Sequence, residues 1–267
     1  MNNMNKHLDS LRKQSIEYAK DLAQLYKKDR KDSKTLKEKL DELDRIQNQS
    51  LIYAKELSVS LKEIEGTYEA TLIALVSAMD AREHEVQSHS QRVREYTLTL
   101  AKKIGLEGNE LKDIGRGALL HDVGKIGISD NILLKPAKLT EEEWLEMRKH
   151  PYIGYKILEG IKFLEGAASI VYSHQECYDG SGYPRKLKGE EIPLGARLFA
   201  VADTLDAMTS DRPYRKALSM EAAREEILRC SGTQFDSQIA ELFLSTPRKE
   251  WLDIRDRVNS RVKNTIF

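Results

Sequence analysis

Apolar residues in the first part of the chain recur in alternating steps of three and four. Leu36, Leu40, Leu43, Ala54, Leu57, Leu61, Ile64 and Tyr68 make the series, and Gln47 and Ser50 interrupt it. A repeat averaging 3.5 residues predicts a long helix carrying a coiled-coil seam. Residues 1–66 hold no proline, and their first glycine is Gly66. They are rich in Lys, Glu, Leu, Asp and Ala, which favour helix. Tyr18-Ala19-Lys20-Asp21-Leu22 recurs as Tyr53-Ala54-Lys55-Glu56-Leu57, five heptads later. Between the copies, Lys27 to Lys34 (KKDRKDSK) is almost wholly charged and predicts a break or turn. A polar helix of this length is hard to stabilise alone. The pattern therefore favours a dimerising signalling helix over a solvated helix packed on its own domain.

From Tyr68 to Ile104 the period becomes that of globular helices. Within it, Glu85 and His89 stand at i and i+4, so on one helix both would reach one cation. Gly105 ends the helix, and Asn109 is a candidate cap for the next, which runs through Leu111, Ile114 and Ala118 into His121-Asp122-Val123-Gly124-Lys125. On a helix His121, Asp122 and Lys125 would share a face. Residues 126–140 have no helical period and read as a covering loop. Thr140 with Glu143 predicts a capping box, and His150 is placed at the end of the helix that it opens, just before Pro151. An apolar run, Ala167 to Tyr172, leads to HQECYDGSGYP, residues 174–184, a turn-rich loop. Gly195 to Met208 is an apolar helix that nevertheless contains Asp203 and Asp206. A buried aspartate is costly unless paired or bound to metal. Arg212 and Arg215 follow as a guanidinium pair suited to phosphate oxygens. Ser219 to Phe267 predicts two or three terminal helices.

Composition narrows the partners. Lys+Arg and Asp+Glu are both 43, so the net charge is +0 and no nucleic acid polymer is called for. Charged residues reach 32%, as expected where part of the chain is an exposed helix. Cys177 and Cys230 are far apart and predict no disulfide. The N-terminus lacks an apolar signal segment, and the longest apolar stretch, near Leu72 to Met79, is too short for a bilayer. A cytoplasmic protein is expected.

Of six histidines, four (His89, His121, His150 and His174) each read as lying on a helix that faces an apolar core, with a carboxylate partner within reach in sequence or in the next motif. Imidazoles sharing carboxylates suit Fe, Mn, Zn or Ni, and a bridging carboxylate suits a polynuclear site. Paired metals act on in-line displacement at phosphorus.

HDVGKIGISDNILLKPAKLT, KHPYIGYKIL, HQECYDGSGYP, IPLGARLFAVADTLDAMTSDRPYR and GTQFD occur together and in this order. Over about residues 68–245 this set resembles the HD-GYP family, HD-superfamily phosphodiesterases that hydrolyse the bacterial second messenger cyclic di-GMP. The resemblance implies an all-α fold, an HD-domain helical bundle preceded by a long N-terminal helix or coiled coil. Its expected parts are 1–66, the helical segment; 67–245, the catalytic domain; and 246–267, a helical tail.

It also implies roles. His89, His121, Asp122 and Asp203 resemble the core metal set, with Asp122 bridging to a second metal held by His150 and His174. Glu85 matches a position that supports a third metal in some members. Lys125 resembles the catalytic lysine acting beside Asp122 on the leaving oxygen. Tyr183, Arg212 and Arg215 resemble residues that contact the dinucleotide. The expected cofactors are two or three divalent transition metals, Fe or Mn first and Zn or Ni next. The expected product is linear pGpG and onward GMP. A homodimer through the N-terminal helix and a signalling protein partner complete the expectation. One departure stands out: the family usually reads HHExxDGxGYP, and here the second histidine is Gln175. It motivates a second reading, a non-catalytic cyclic di-GMP receptor or dimeric scaffold with a weakened metal site.

Overall fold

A computed structural model describes residues 2–28, 33–82, 88–211 and 216–265. Every regular element among them is helical. The chain divides into two compact units, Met1–Ala70 and Thr71–Phe267.

The first unit contains α1 (Asn2–Lys28) and most of α2 (Ser33–Arg82). The charged stretch expected to break the helix falls between them, and its residues 29–32 lie outside the described residues. The seam residues Leu40, Leu57 and Ile64 of α2 are 44%, 43% and 49% exposed. Apolar side chains off the seam, Ile46, Leu51 and Tyr53, are exposed as well.

The second unit is built around α9 (Leu194–Thr209). Leu198, Phe199, Val201, Ala202 and Leu205 of α9 are fully or almost fully buried. They pack with Val93, Tyr96 and Leu100 of α3 (His89–Lys103), Ile114 and Ala118 of α4 (Gly108–Leu120), and the terminal helices. Those are α10 (Met220–Arg229), α11 (Ser237–Ser245) and α12 (Arg248–Thr265), which supply Ile227, Phe243 and Trp251. Each large apolar side chain so buried contributes about 1.5–3 kcal/mol. A second apolar cluster joins Leu72 and Val76 of α2 to Leu119, Leu120, Leu158, Leu164 and Val171. It packs the ends of α4, α7 (His150–Leu158) and α8 (Glu165–Ser173) against one another. Gly117 lets α4 approach α8, because a Cβ there would lie 2.7 Å from Ile170 Cβ.

Several local expectations change. His121 and Asp122 are not inside a helix: α4 stops at Leu120, and Val123–Gly127 is a 3-10 turn. His150 does not close a helix. It opens α7, with Pro151 in the first turn, where a missing N–H costs nothing. The preceding α6 (Glu141–Met147) has the expected Thr140–Glu143 capping box. Between Tyr68 and Ile104, α2 runs to Arg82 and α3 begins at His89, with Ser88 at a left-handed φ of 77° before it. Glu85, placed by the sequence four residues before His89, lies outside the described residues. The covering loop contains one short helix, α5 (Asp130–Leu133). Asn109 lies inside α4, and Glu107 takes the cap position.

Candidate metal centre

The four histidines converge because each stands at a helix terminus. Their rings form a continuous file: His89 to His121, His121 to His174 and His174 to His150 have centroids 5.5, 5.4 and 5.0 Å apart. Phe199, one turn before Asp203 on α9, underlies the file at 4.7 Å from His121 and 5.7 Å from His174. All four histidines are buried.

Three of them are oriented by one device. The last carbonyls of a helix lack intrahelical partners. His121 Nδ1 meets the Ala118 carbonyl at 2.9 Å, His150 Nδ1 meets that of Met147 at 2.8 Å, and His174 Nδ1 meets that of Val171 at 2.7 Å. A carbonyl only accepts, so each Nδ1 carries the proton and caps its helix. Each Nε2 is left facing the interior as the ligand atom, the arrangement that fixes imidazoles at metal sites.

The Nε2 atoms and carboxylates fall into two groups. His89, His121 and Asp203 form one, and Asp122, His150 and His174 the other; in each, the donor atoms lie within 4.8 Å of one another. Asp122 touches both. Its Oδ2 is 2.9 Å from His121 Nε2 and 2.9 Å from Lys125 Nζ, and its Oδ1 is 3.4 Å from His150 Nε2 and 3.8 Å from His174 Nε2. In the first group His89 Nε2 stands 3.4 Å from Asp203 Oδ1.

The donor set fits metal ions. His150 Nε2 and His174 Nε2 are 3.0 Å apart, and both rings have committed their proton to Nδ1. Two lone pairs thus point at each other in a buried space, which a cation between them and Asp122 relieves. Burial lowers the pKa of His150, and burial with the neighbouring imidazoles takes His174 well below the ordinary value, so both are neutral and ready to coordinate. His121 is different. Burial opposes its charged form, yet Asp122 raises it to about 9. Asp122 is held well below the usual carboxylate range, against burial, by His121 and Lys125. Burial raises Asp203.

A proton on His121 Nε2 occupies a ligand position. Metal uptake at neutral pH is therefore expected to release about one proton from His121. Affinity should rise about tenfold per pH unit until the pH passes the His121 pKa. Calorimetry in two buffers of different ionisation enthalpy measures the release, and buffer-independent heats would contradict it.

The loop beyond His174 is held by a buried carboxylate. Glu176 accepts from the backbone N–H of Arg185 at 2.8 Å and of Leu187 at 3.2 Å. Gly182 lies against the backbone of Glu176 and Cys177, where a Cβ would collide. Tyr183 is thereby brought beside the site, its ring centroid 6.5 Å from that of His150 and 5.6 Å from the Arg148 guanidinium. Burial pushes its phenol up to about 12. Gln175 contributes its backbone carbonyl, which accepts from Tyr183 N–H at 3.1 Å. Both three-ligand groups are complete without it. Arg212 and Arg215 lie outside the described residues.

With this geometry, comparison with known proteins becomes specific. The family profile described as "HD domain" matches residues 74–239. The chain belongs to the HD domain family. Its motifs are those of the HD-GYP branch of that family. It is 40% identical over 201 residues to the cyclic di-GMP phosphodiesterase response regulator RpfG of Xanthomonas campestris, covering 74% of this chain and 53% of that one. A cyclic di-GMP phosphodiesterase of Thermotoga maritima is 38% identical over 218 residues, covering 77% and 59%. A 3′3′-cGAMP-specific phosphodiesterase of Vibrio cholerae is 40% identical over 190 residues, covering 70% and 36%. The chain thus spans 36% to 59% of the length of these curated relatives. A crystal structure of a cyclic GMP-AMP-specific phosphodiesterase of V. cholerae shares the fold, with a TM-score of 0.54 at 24% identity over 70% of this chain and 52% of the other.

The HD pair, Lys125, His89, His150, His174 and Asp203 are the sequence-derived residues that meet in this HD-domain site. Arg92 escapes the sequence reading, which assigns Asp206 no partner. Arg92 and Asp206 form a buried pair behind His89. Asp206 carried a signal as a carboxylate inside an apolar helix. Arg92, one turn after His89, carried no signal in the sequence.

Proposed function

We propose that this chain is a metal-dependent phosphodiesterase that opens cyclic di-GMP to linear pGpG and carries it on to GMP. The observation that carries the reading is Asp122, a single carboxylate whose two oxygens face two separate histidine groups with Lys125 alongside. His89, His121 and Asp203 would hold one ion and His150 and His174 the other, with Asp122 within reach of both groups. Bound ions of this kind polarise phosphoryl oxygens and lower the pKa of water. Lys125, 2.9 Å from Asp122, is placed to give a proton or charge stabilisation to the leaving oxygen. Tyr183 lies against His150, and with Arg212 and Arg215 of the sequence motif it would contact the dinucleotide. Fe or Mn is the first expectation for the ions, with Zn or Ni next and Glu85 supporting a third.

The names of the relatives support cyclic dinucleotides as the substrate class, and both cyclic di-GMP and 3′3′-cGAMP occur among those names. Incubating metal-loaded protein with each dinucleotide and separating the products tests the reading. Cyclic di-GMP converted to pGpG supports it. Cyclic di-GMP bound and returned intact would favour the receptor alternative that Gln175 raises.

The same reading assigns residues 1–66 to a dimerising helix, 67–245 to the catalytic domain and 246–267 to a tail, in a cytoplasmic homodimer that receives its signal from another protein. Among the described residues no helix is long and apolar enough to cross a membrane. The exposed seam of Leu40, Leu57 and Ile64 is what a second copy would cover. Deleting residues 1–66 is expected to convert the dimer to a monomer in sedimentation; a truncated protein that stays dimeric would place the interface elsewhere.

A further inference from the structure

The two ligand groups are supported in different ways. His121, His150 and His174 each anchor Nδ1 on a backbone carbonyl three residues back. His89 is anchored through a side chain. It is the first residue of α3, and Ser88 before it has φ 77°. Its Nδ1 is instead 2.8 Å from Asp206 Oδ2, on α9 one turn after Asp203. A carboxylate only accepts, so here too Nδ1 carries the proton and Nε2 faces Asp203.

Asp206 is itself held by a buried cation. Arg92 Nε donates to Asp206 Oδ1 at 2.6 Å and its second terminal nitrogen donates to Oδ2 at 2.9 Å. The side chains of Arg92 and Asp206 are 3% and 1% exposed. Arg92 also donates to Ser210 Oγ at 3.1 Å and to Asn259 Oδ1 of α12 at 3.2 Å. Ser210 is followed directly in sequence by Asp211 and the Arg212–Arg215 segment. One guanidinium therefore joins the support of His89 to α12 and to the residue that leads into the phosphate clamp. A buried ion pair earns its place poorly as a source of stability, because desolvation offsets most of its attraction. As a rigid, bidentate support for an imidazole it is effective.

We propose that Asp206 and Arg92 are positioning residues that set the metal affinity of the His89–His121–Asp203 group alone, and that Asn259 couples this affinity to the C-terminal helix. The proposal rests on the two-metal reading of the site. It predicts an asymmetric centre, with one ion held by histidines on fixed backbone carbonyls and the other depending partly on a side-chain relay.

Manganese titration of the full chain, followed by bound metal per chain and by electron paramagnetic resonance, tests it. Asp206→Asn keeps the shape but cannot serve His89 and Arg92 together. It should weaken one of two manganese sites about 10- to 100-fold and leave the other at its wild-type affinity. Asn259→Ala, which removes a hydrogen-bond acceptor of Arg92, should weaken the same site about two- to tenfold. Arg92→Lys keeps the charge but loses the fork, and should fall between wild type and Asp206→Asn. Two sites of unchanged affinity in Asp206→Asn would overturn the proposal, as would equal weakening of both in a protein with wild-type helical content. If Asp206→Asn does not fold, Asn259→Ala decides, and unchanged affinity there overturns the coupling to α12 and with it the proposal. Wild-type protein that binds no second ion would instead refute the two-metal reading itself.

Discussion

His121→Ala is expected to lower cyclic di-GMP turnover by about a thousandfold or more. Loss of a metal-centred Lewis acid removes several kcal/mol of transition-state stabilisation, and each 1.36 kcal/mol is a factor of ten in rate. His121 is the hinge of the centre. It is a member of the His89–Asp203 group and touches Asp122, which belongs to the other. Its removal also uncaps the Ala118 carbonyl and opens a gap over Phe199. The metal-free protein should lose stability as well, because a His121 raised to about 9 pairs with the ionised Asp122. The sign follows from the pKa: that contribution is full below the unfolded histidine value and fades as pH passes about 9. His7→Ala on exposed α1 is the control and should leave turnover unchanged. Steady-state rates with metal in excess decide the matter, and a His121→Ala enzyme within tenfold of wild type would remove the basis for the site.

Gly124→Ala is expected to destabilise the fold by about 1–3 kcal/mol or more. A Cβ at Gly124 would land on the His150 carbonyl oxygen and the Gly154 backbone nitrogen. Both are main-chain atoms of α7, so neither can swing aside as a side chain could. The strain would push α7, and His150 with it, away from Asp122. Metal affinity of the His150–His174 group should therefore fall together with the melting temperature. Gly66→Ala is the counter-case: nothing lies within 4 Å of a Cβ there, and the residue is inside α2. It should stabilise the helix by about 0.5–1 kcal/mol. Urea unfolding of the two variants reads the contrast, and a Gly124→Ala protein as stable as wild type would mean the turn can relax.

These two sites show what the sequence makes legible. The ligand residues are readable because their chemistry is conspicuous: imidazoles and carboxylates beside apolar runs. The helical class is readable from the 3.5- and 3.6-residue periods. The conformation at the ligands is not. HDVGK fits a helical face by spacing, yet the chain leaves α4 at Leu120 because the following turn must pass under α7 at Gly124. His150 beside a proline looks like a stop, whereas Pro151 is a start. Periodicity sees neither, since both are decided by contacts with elements distant in sequence. Arg92 is a case of the same kind. Only the fold reveals that its charge faces Asp206 inside the core.

The proposed function requires the groups on both sides of Asp122 each to hold an ion for the dinucleotide to be opened. The rate of cyclic di-GMP cleavage measured against bound manganese per chain tests it most directly. The prediction is little turnover at the first equivalent and a steep rise as the second is bound, with pGpG as the first product. Full activity at one equivalent, or intact cyclic di-GMP at two, would contradict it.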